Sequence, residues 1–337
     1  MPSRLRNEQV PKSPPADRRQ FLTATVALPL LSAVDTKSSV PKSRIVVAHD
    51  PDVLLSLSGR VDSNRLYRLL NDGIQALAGT DSPREGWQRF VRPADVVGLK
   101  VNCLAGKGLS TSVQLTEAIE QCLQEAGVRP ENIIVWDRHS NDLENAGFRV
   151  VTDRRRPRCY GNDIGGYESE LMTWGSVGSL VSSTLVRTCS VIINLPVLKD
   201  HGIAGITVAL KNLFGAVHNP NKYHLNVGNP YVADVFMLPP IRSKVRLTIC
   251  EAIVAQYEGG PPFMPQWCWP MRSLILGSDP VALDYTGWQI IEDKRREKGL
   301  KPLAAVGRNP AWLAVAADNE HRLGTNDPGR IDVLRIV

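Results

Sequence analysis

The sequence predicts an α/β protein built on a mainly parallel, doubly wound sheet, as one large domain or two closely packed lobes. Between residues 44 and 137, three short apolar runs alternate with two amphipathic helical patterns. Right-handed crossovers turn this β-α-β-α-β order into a parallel sheet. A continuous β-branched run at residues 191–193 is typical of a strand buried on both faces of such a sheet. The length of 337 residues allows either arrangement.

Strands are predicted wherever β-branched and other apolar residues form a short run. These runs lie at residues 44–48, 96–102, 132–137, 191–193, 245–251, 273–278 and 330–337. A glycine-rich stretch at residues 153–183 is expected to be an irregular insertion or flap. A loop rich in proline, glycine and aromatic residues at 256–271 is expected to be a lid.

Helices are expected where capping residues precede amphipathic patterns. Ser63 is predicted to cap the first helix, and Thr111 with Gln114 forms a capping box for the second. Asp279 is predicted to cap a long helix that has Pro280 at its first position. These helices supply the crossovers between the predicted strands.

The segment at residues 191–218 combines a predicted strand, a polar loop and a predicted helix. Pro196 is expected to end the strand, because proline has no backbone N–H to donate. Lys199 and His201 follow in the loop, and a helix over residues 205–214 is predicted to carry Lys211 beside an apolar face. A strand end and a helix N-terminus would then meet, which favours an anionic or metal-bound ligand.

Composition and cysteine spacing exclude several classes of protein. The net charge of +6 is mild, and the arginine run at residues 154–158 has no interleaved aromatic residues. We therefore predict a solvated loop there, with an anionic partner as the alternative, and no nucleic-acid binding. The six cysteines form no C-x-x-C pair, which argues against a cysteine-ligated zinc site or an iron–sulfur cluster.

Residues 1–40 resemble a twin-arginine export signal. Arg18 and Arg19 are followed by Phe21 and Leu22 and then by an apolar run too short to span a bilayer. The resemblance implies that the translocation machinery exports the folded protein to the periplasm or another extracytoplasmic compartment. A basic tail without structure is the alternative. Residues 41–337 would form the α/β domain.

Five further motifs resemble those of the family catalogued as domain of unknown function 362. They are P-x-x-K-x-H at residues 196–201, K-N-L-F-G at 211–215, K-V-N at 100–102, E-G-G-P at 258–261 and S-D-P-V-A-L-D at 278–284. The resemblance covers about residues 90–300. Since the chemistry of that family is poorly known, the resemblance implies no particular substrate.

The candidate site consists of polar side chains near predicted strand ends, where open α/β sheets bind ligands. The candidate catalytic residues are Lys199, His201 and Lys211, since lysines are rarely buried unless they are paired. The candidate ligand-binding residues are Asn102, Asn212, Asp279 and Asp284. The candidate metal ligands are His201, His218, His224 and Glu251, whose imidazole and carboxylate groups suit a divalent metal.

Three chemistries remain open at this site: a metal centre, a lysine of lowered pKa as base or nucleophile, and an anion site made of lysines and helix N–H groups. We expect an exported enzyme or redox-associated protein that depends on a metal or an unidentified cofactor and acts on a small anionic ligand. A non-catalytic binding module is the alternative. In the competing structural interpretation, Lys199 or Lys211 pairs with Glu251 or Asp284.

A remote resemblance to nickel-pincer lactate racemases adds a further alternative. His201 precedes Lys211 by the interval that separates a histidine from the cofactor-bearing lysine in those enzymes. The residues Val208, Ala209 and Leu210 replace the Gly-Gly-Arg expected before that lysine. The resemblance implies a racemase-like isomerase with its cofactor attached at Lys211.

Overall fold

One large sheet runs through the computed structural model, which describes residues 42–56 and 60–337. The strands are, in chain order, β1 Ser43–His49, β2 Val97–Lys100, β3 Ile133–Asp137, β4 Arg158–Gly161, β5 Met172–Trp174, β6 Val177–Ser179, β7 Val191–Asn194, β8 Val197–His201, β9 Gly205–Thr207, β10 Val245–Gln256, β11 Cys268–Gly277 and β12 Ile331–Ile336. The export signal predicted for residues 1–40 lies outside the described residues.

The main path of the sheet has the order β12-β1-β11-β10-β7-β2-β3-β4, and β8 and β9 attach beside β10. Neighbours from β10 through β7, β2 and β3 to β4 pair in parallel, as do β1 and β12. Strand β11 is antiparallel to both of its neighbours, β1 and β10. The prediction of a mainly parallel sheet is therefore confirmed.

Helices cover both faces of this sheet. They are α1 Ser63–Ala78, α2 Pro83–Gln88, α3 Val113–Glu125, α4 Ser140–Ala146, α5 Asn162–Gly165, α6 Ala209–Asn212, α7 Tyr231–Met237, α8 Pro239–Lys244, α9 Pro280–Glu297 and α10 Trp312–Ala316. Alternate residues of β1 enter different cores: Val46 belongs to the core that contains residues of α1 and α3, whereas Ile45 and Val47 belong to the core that contains residues of α7 and α9. This is the doubly wound arrangement that was predicted. None of the described helices is long and apolar enough to cross a bilayer.

The predicted helix starts are right at one position and shifted at two. Asp279 caps α9 as predicted, since its carboxylate accepts two backbone N–H groups of the first turn. Asp62 rather than Ser63 caps α1. Ser112 rather than Thr111 caps α3, because the Thr111 hydroxyl instead donates to a backbone carbonyl at the end of β7.

Two predicted loops contain regular structure. The stretch at 153–183 includes β4, which pairs with β3 at the sheet edge, and the hairpin of β5 and β6. The predicted lid at 256–271 is the connection between β10 and β11, and β11 already begins at Cys268. Glycine content suggested irregular loops here, but long-range pairing overrides that local signal.

The segment after β7 departs most from its prediction. Strand β7 ends before Pro196 as expected, but the chain rejoins the sheet as β8 beside β10. The helix predicted for residues 205–214 is wrong in its first part, because residues 205–207 form β9 and pair antiparallel with β8. Helix α6 starts only at Ala209. Lys199 and His201 therefore lie on a strand rather than in a loop.

Candidate functional site

A cavity of about 190 Å³ lies where β2, β3 and β8 end. Three lysines from three elements line it: Lys100 ends β2, Lys199 lies on β8, and Lys211 lies on α6. All three side chains are buried. The cavity occupies the position at which open α/β sheets bind ligands, beyond the carboxyl ends of their strands.

Lys100 is neutralised by a buried carboxylate. Its Nζ lies 2.7 Å from Asp137 Oδ1 and also donates to the backbone oxygen of Val101 at 2.6 Å. Asp137 Oδ2 in turn accepts the backbone N–H of Cys103. Neither Lys100 nor Asp137 is among the candidate site residues predicted from the sequence. The signal was present, since a lysine in the K-V-N motif ends a short apolar strand.

Gly215, the last residue of the K-N-L-F-G motif, is required by this ion pair. A Cβ at position 215 would lie 2.7 Å from Lys100 Cε and 2.9 Å from Asp137 Oδ1, closer than real Cβ contacts come. Because Gly215 has no side chain, the turn at residues 213–216, which follows α6, can pass directly over the ion pair.

Within the described part of the chain, Lys199 is bonded only to neutral oxygens. Its Nζ donates to Asn102 Oδ1 at 2.7 Å and approaches the Leu109 carbonyl at 3.4 Å. Asn102 is oriented by Asn212, whose Oδ1 accepts its amide N–H, and Asn212 donates to Asn194. Because these partners carry no charge, burial lowers the pKa of Lys199 to about 8.

Lys211 has no hydrogen bond or ion pair with any of the described residues. Its Nζ lies over the ring of Phe214, 3.9 Å from the ring centroid. Burial, together with the charges of Lys199, Lys100 and Arg138, lowers the pKa of Lys211 to about 7. An ordinary lysine titrates near 10.4, so this amine carries far less positive charge at neutral pH.

Two stacked histidines form another part of the cavity lining. The rings of His201 and His224 lie 5.5 Å apart with a 20° interplanar angle. Burial and the nearby Lys211 lower the pKa of His201 well below its usual range and that of His224 to about 4. His201 Nδ1 accepts the backbone N–H of Ile203, which assigns the proton of the neutral ring to Nε2. His201 is thus a neutral hydrogen-bond donor.

The structure does not bring the four predicted metal ligands together. His201 and His224 line the cavity, but His218 packs edge-on against Tyr167. Glu251 lies in a separate cavity of about 480 Å³, where it accepts the backbone N–H of Ser112 and burial raises its pKa to about 7. Among the described residues, no three His, Cys, Asp or Glu side chains are grouped to hold a metal ion.

Two of the predicted ligand-binding residues also lie elsewhere. Asp279 caps α9, and Asp284 accepts the backbone N–H groups of Ala209 and Leu210 at the start of α6. Because Asp284 already occupies that helix start, the predicted anion site on helix N–H groups is not formed there. Asn102 and Asn212 do line the cavity. Neither Lys199 nor Lys211 pairs with Glu251 or Asp284, so the competing lysine–carboxylate network is wrong.

Positive side chains outnumber negative ones around the cavity. The lining contains four basic side chains and two carboxylates, namely Lys100, Lys199, Lys211, Arg138, Asp137 and Asp142. Only the pair of Lys100 and Asp137 is a salt bridge within this set. A protonated Lys199 and Arg138 therefore face the cavity without a carboxylate partner among its described lining residues, which favours an anion inside it.

The fold and this cavity define an α/β protein with a lysine-lined site at the strand ends. The chain belongs to the family described as Domain of unknown function (DUF362), whose profile matches residues 97–289. It is also similar to the thylakoid-associated protein sll1697 of Synechocystis sp., with 29% identity over 252 residues. That alignment covers 71% of this chain and 76% of the relative.

Two solved structures show a more distant similarity. A protein from Thermotoga maritima aligns with a TM-score of 0.43 and 10% identity, over 70% of this chain and 59% of its own. The lactate racemase apoprotein of Thermoanaerobacterium thermosaccharolyticum aligns with a TM-score of 0.40 and 8% identity, over 68% of this chain and 55% of its own. The chain thus spans less than two thirds of the length of either protein.

Proposed function

We propose that the protein is an enzyme that acts on a small anionic molecule bound in the lysine-lined cavity, with Lys211 as its base or nucleophile. One observation carries the proposal: the Lys211 amine is buried beside the cavity and has no hydrogen-bond or ion-pair partner among the described residues. Burying an unpaired ammonium group costs several kcal/mol. A role that needs the neutral amine accounts for this cost, and packing alone does not.

The lowered pKa gives Lys211 its chemistry. At a pKa of about 7, a large share of the amine is neutral near physiological pH. A neutral amine can take a proton from carbon next to a carbonyl or carboxylate group, or attack a carbonyl carbon. In the second case the amine nitrogen bonds to carbon, the carbonyl oxygen leaves as water, and an imine results.

The other lining residues hold the anion. Lys199 keeps much of its charge at neutral pH, since its pKa of about 8 lies above that of Lys211, and Asn102 fixes its position. Arg138, which forms no salt bridge with any described residue, adds a second positive charge. His201 offers a neutral N–H donor. An anion held by these groups would lie beside the Lys211 amine.

Binding of simple anions tests the proposal. Calorimetric titration with acetate and with phosphate at pH 6.5 should show binding to the wild type. Lys211→Met, which keeps the length and apolar contacts of the side chain, should weaken it about tenfold, since a charged hydrogen bond is worth ~1.5–3 kcal/mol. Lys298→Met, which removes an exposed lysine outside the cavity, is the control. Equal affinity in the wild type and Lys211→Met would contradict the proposal.

A covalently attached organic cofactor at Lys211, as in a racemase-like isomerase, is the second candidate. The specific observation in its favour is that an unpaired amine of lowered pKa, in a cavity shared with His201, is free to be attached. Intact-mass measurement and metal analysis on protein purified from its own host distinguish the two. Added mass that is lost in Lys211→Ala supports attachment, and an unmodified, metal-free chain contradicts it.

A non-catalytic binding module makes the opposite prediction for the same variants. It should purify without a bound group, and a module whose partner binds outside the cavity should keep its affinity for that partner in Lys211→Met. Metal chemistry finds little support in the histidine pair alone, since structural and catalytic sites use three or more protein ligands. We therefore derive no step through a metal.

A further inference from the structure

Two exposed apolar side chains lie at the mouth of the lysine-lined cavity. Leu104 is 59% exposed and Ile203 is 57% exposed, and both belong to the cavity lining. They come from different parts of the chain: Leu104 follows β2, and Ile203 lies between β8 and β9. Single exposed apolar residues need no explanation. Two of them at one small opening do.

The cavity therefore has buried lysines at its inner end and exposed apolar side chains at its opening. The side chains of Lys100, Lys199 and Lys211 are 1%, 1% and 7% exposed, so their amines lie deep. The outer lining adds the half-buried Pro261 to the two exposed side chains, and it also includes the half-buried Arg138 and Asp142. The deep end thus presents lysine amines and the opening presents two large apolar side chains, as a molecule with a charged head and an apolar substituent requires.

The two loops that carry these side chains are held in place by hydrogen bonds. The backbone N–H of Ile203 donates to His201 Nδ1 at 3.3 Å, and that of Gly202 donates to the Gly260 carbonyl at 2.8 Å. The turn after β2 is closed by the Gly106 N–H on the Cys103 carbonyl at 3.0 Å. The exposure of Leu104 and Ile203 is thus a fixed feature of the opening.

We propose that the ligand is a small amphipathic anion, with its anionic head between the lysines and a short alkyl or aromatic substituent against Leu104 and Ile203. This inference rests on the proposed function, because it assumes that the head occupies the lysine-lined end. The size fits: a cavity of ~150 Å³ holds benzene, and this one measures about 190 Å³. Inorganic oxyanions and polyols would leave the apolar mouth uncovered.

A series of carboxylates tests this inference. Acetate, butanoate, hexanoate and phenylacetate are titrated into the full chain by calorimetry at pH 6.5. Affinity should rise about threefold to fourfold for each buried CH₂ until the substituent passes the mouth. Leu104→Ser and Ile203→Ser should flatten this rise while acetate affinity stays unchanged. Leu171→Ser, which replaces a leucine that is 64% exposed outside the cavity, is the matched control.

The outcomes separate the inference from the function on which it rests. If acetate binds and depends on Lys211 but affinity does not grow with chain length, the inference is overturned and the proposed function stands. If Leu171→Ser flattens the series as much as Leu104→Ser does, the inference is also overturned. If no carboxylate binds, both are overturned. Unchanged thermal unfolding of the serine variants verifies that each folds.

Discussion

At the scale of single residues, three lysines of one cavity have three different environments. Lys100 is neutralised by Asp137, Lys199 is bonded to neutral oxygens, and Lys211 is bonded to none of the described residues. The sequence identified Lys199 and Lys211 as candidates because lysines near apolar strands are unusual. It did not identify the partners, because Asp137 and Asn102 are brought to the lysines only by the pairing of strands distant in sequence.

Lys211→Met is expected to stabilise the protein at low pH. The pKa of Lys211 falls from about 10.5 unfolded to about 7 folded, so the unfolded chain binds more protons between those values. Wild-type stability therefore rises with pH through this window, and the variant lacks that dependence. Thermal unfolding at pH 6 should show the variant higher by ~5 °C, with the gap closing by pH 10.

Lys298→Met serves as the control for this comparison and should unfold with the wild type at every pH. A lower melting temperature for Lys211→Met at pH 6 would mean that the ammonium group stabilises the fold, which would contradict an unpaired buried amine. If Lys211 has a catalytic role, Lys211→Met should be more stable than the wild type and should bind anions more weakly.

At the scale of elements, strand β8 determines which polar side chains line the cavity. Its alternating residues point to opposite sides, so Lys199 and His201 line the cavity while Asp200 between them faces away. Asp200 is fully buried and accepts Arg308 Nη1 and the Gly260 N–H, each at 2.8 Å. The sequence identified Lys199 and His201 as candidate site residues but assigned them to a loop. Their strand depends on pairing with β10 and on an arginine 108 positions from Asp200, and neither is a local signal.

Arg308→Met is expected to weaken anion binding without touching the ligand. The variant leaves Asp200 as a buried, unpaired carboxylate, a change that typically costs ~3–5 kcal/mol. Strand β8 should then shift or loosen, moving Lys199. Chemical denaturation and acetate titration measure both effects. Arg187→Met, which removes an exposed arginine paired with Glu168, is the control and should cost at most ~1 kcal/mol.

The double variant Arg308→Met/Asp200→Asn separates charge from packing. The neutral amide no longer needs an arginine partner, so the double variant should recover part of the stability and acetate affinity lost in Arg308→Met. If it recovers neither, or if Arg308→Met behaves like Arg187→Met, then the arginine does not hold β8 through Asp200.

At the scale of the whole molecule, local patterns predicted the fold class but only part of the site. Strand runs and caps are local signals, and they predicted the mainly parallel sheet but not its strands β4, β8 and β9. Glu251 was expected at a strand end, but β10 continues to Gln256, so this carboxylate lies within the strand and in another cavity. Strand length depends on pairing with β11, and the sequence of β10 alone does not carry that information.

Export remains a prediction for the chain as a whole, because the signal lies in residues 1–40, outside the described residues. We propose that the twin-arginine machinery exports the protein already folded, with its cavity formed before translocation. Changing Arg18 and Arg19 to lysine keeps the leader's charge but removes the paired arginines by which the signal is recognised. Cell fractionation should then find the precursor in the cytoplasm. Changing Arg4 and Arg6 to lysine should leave export intact; wild-type protein in the cytoplasm, or unchanged export of the Arg18/Arg19 variant, would refute the proposal.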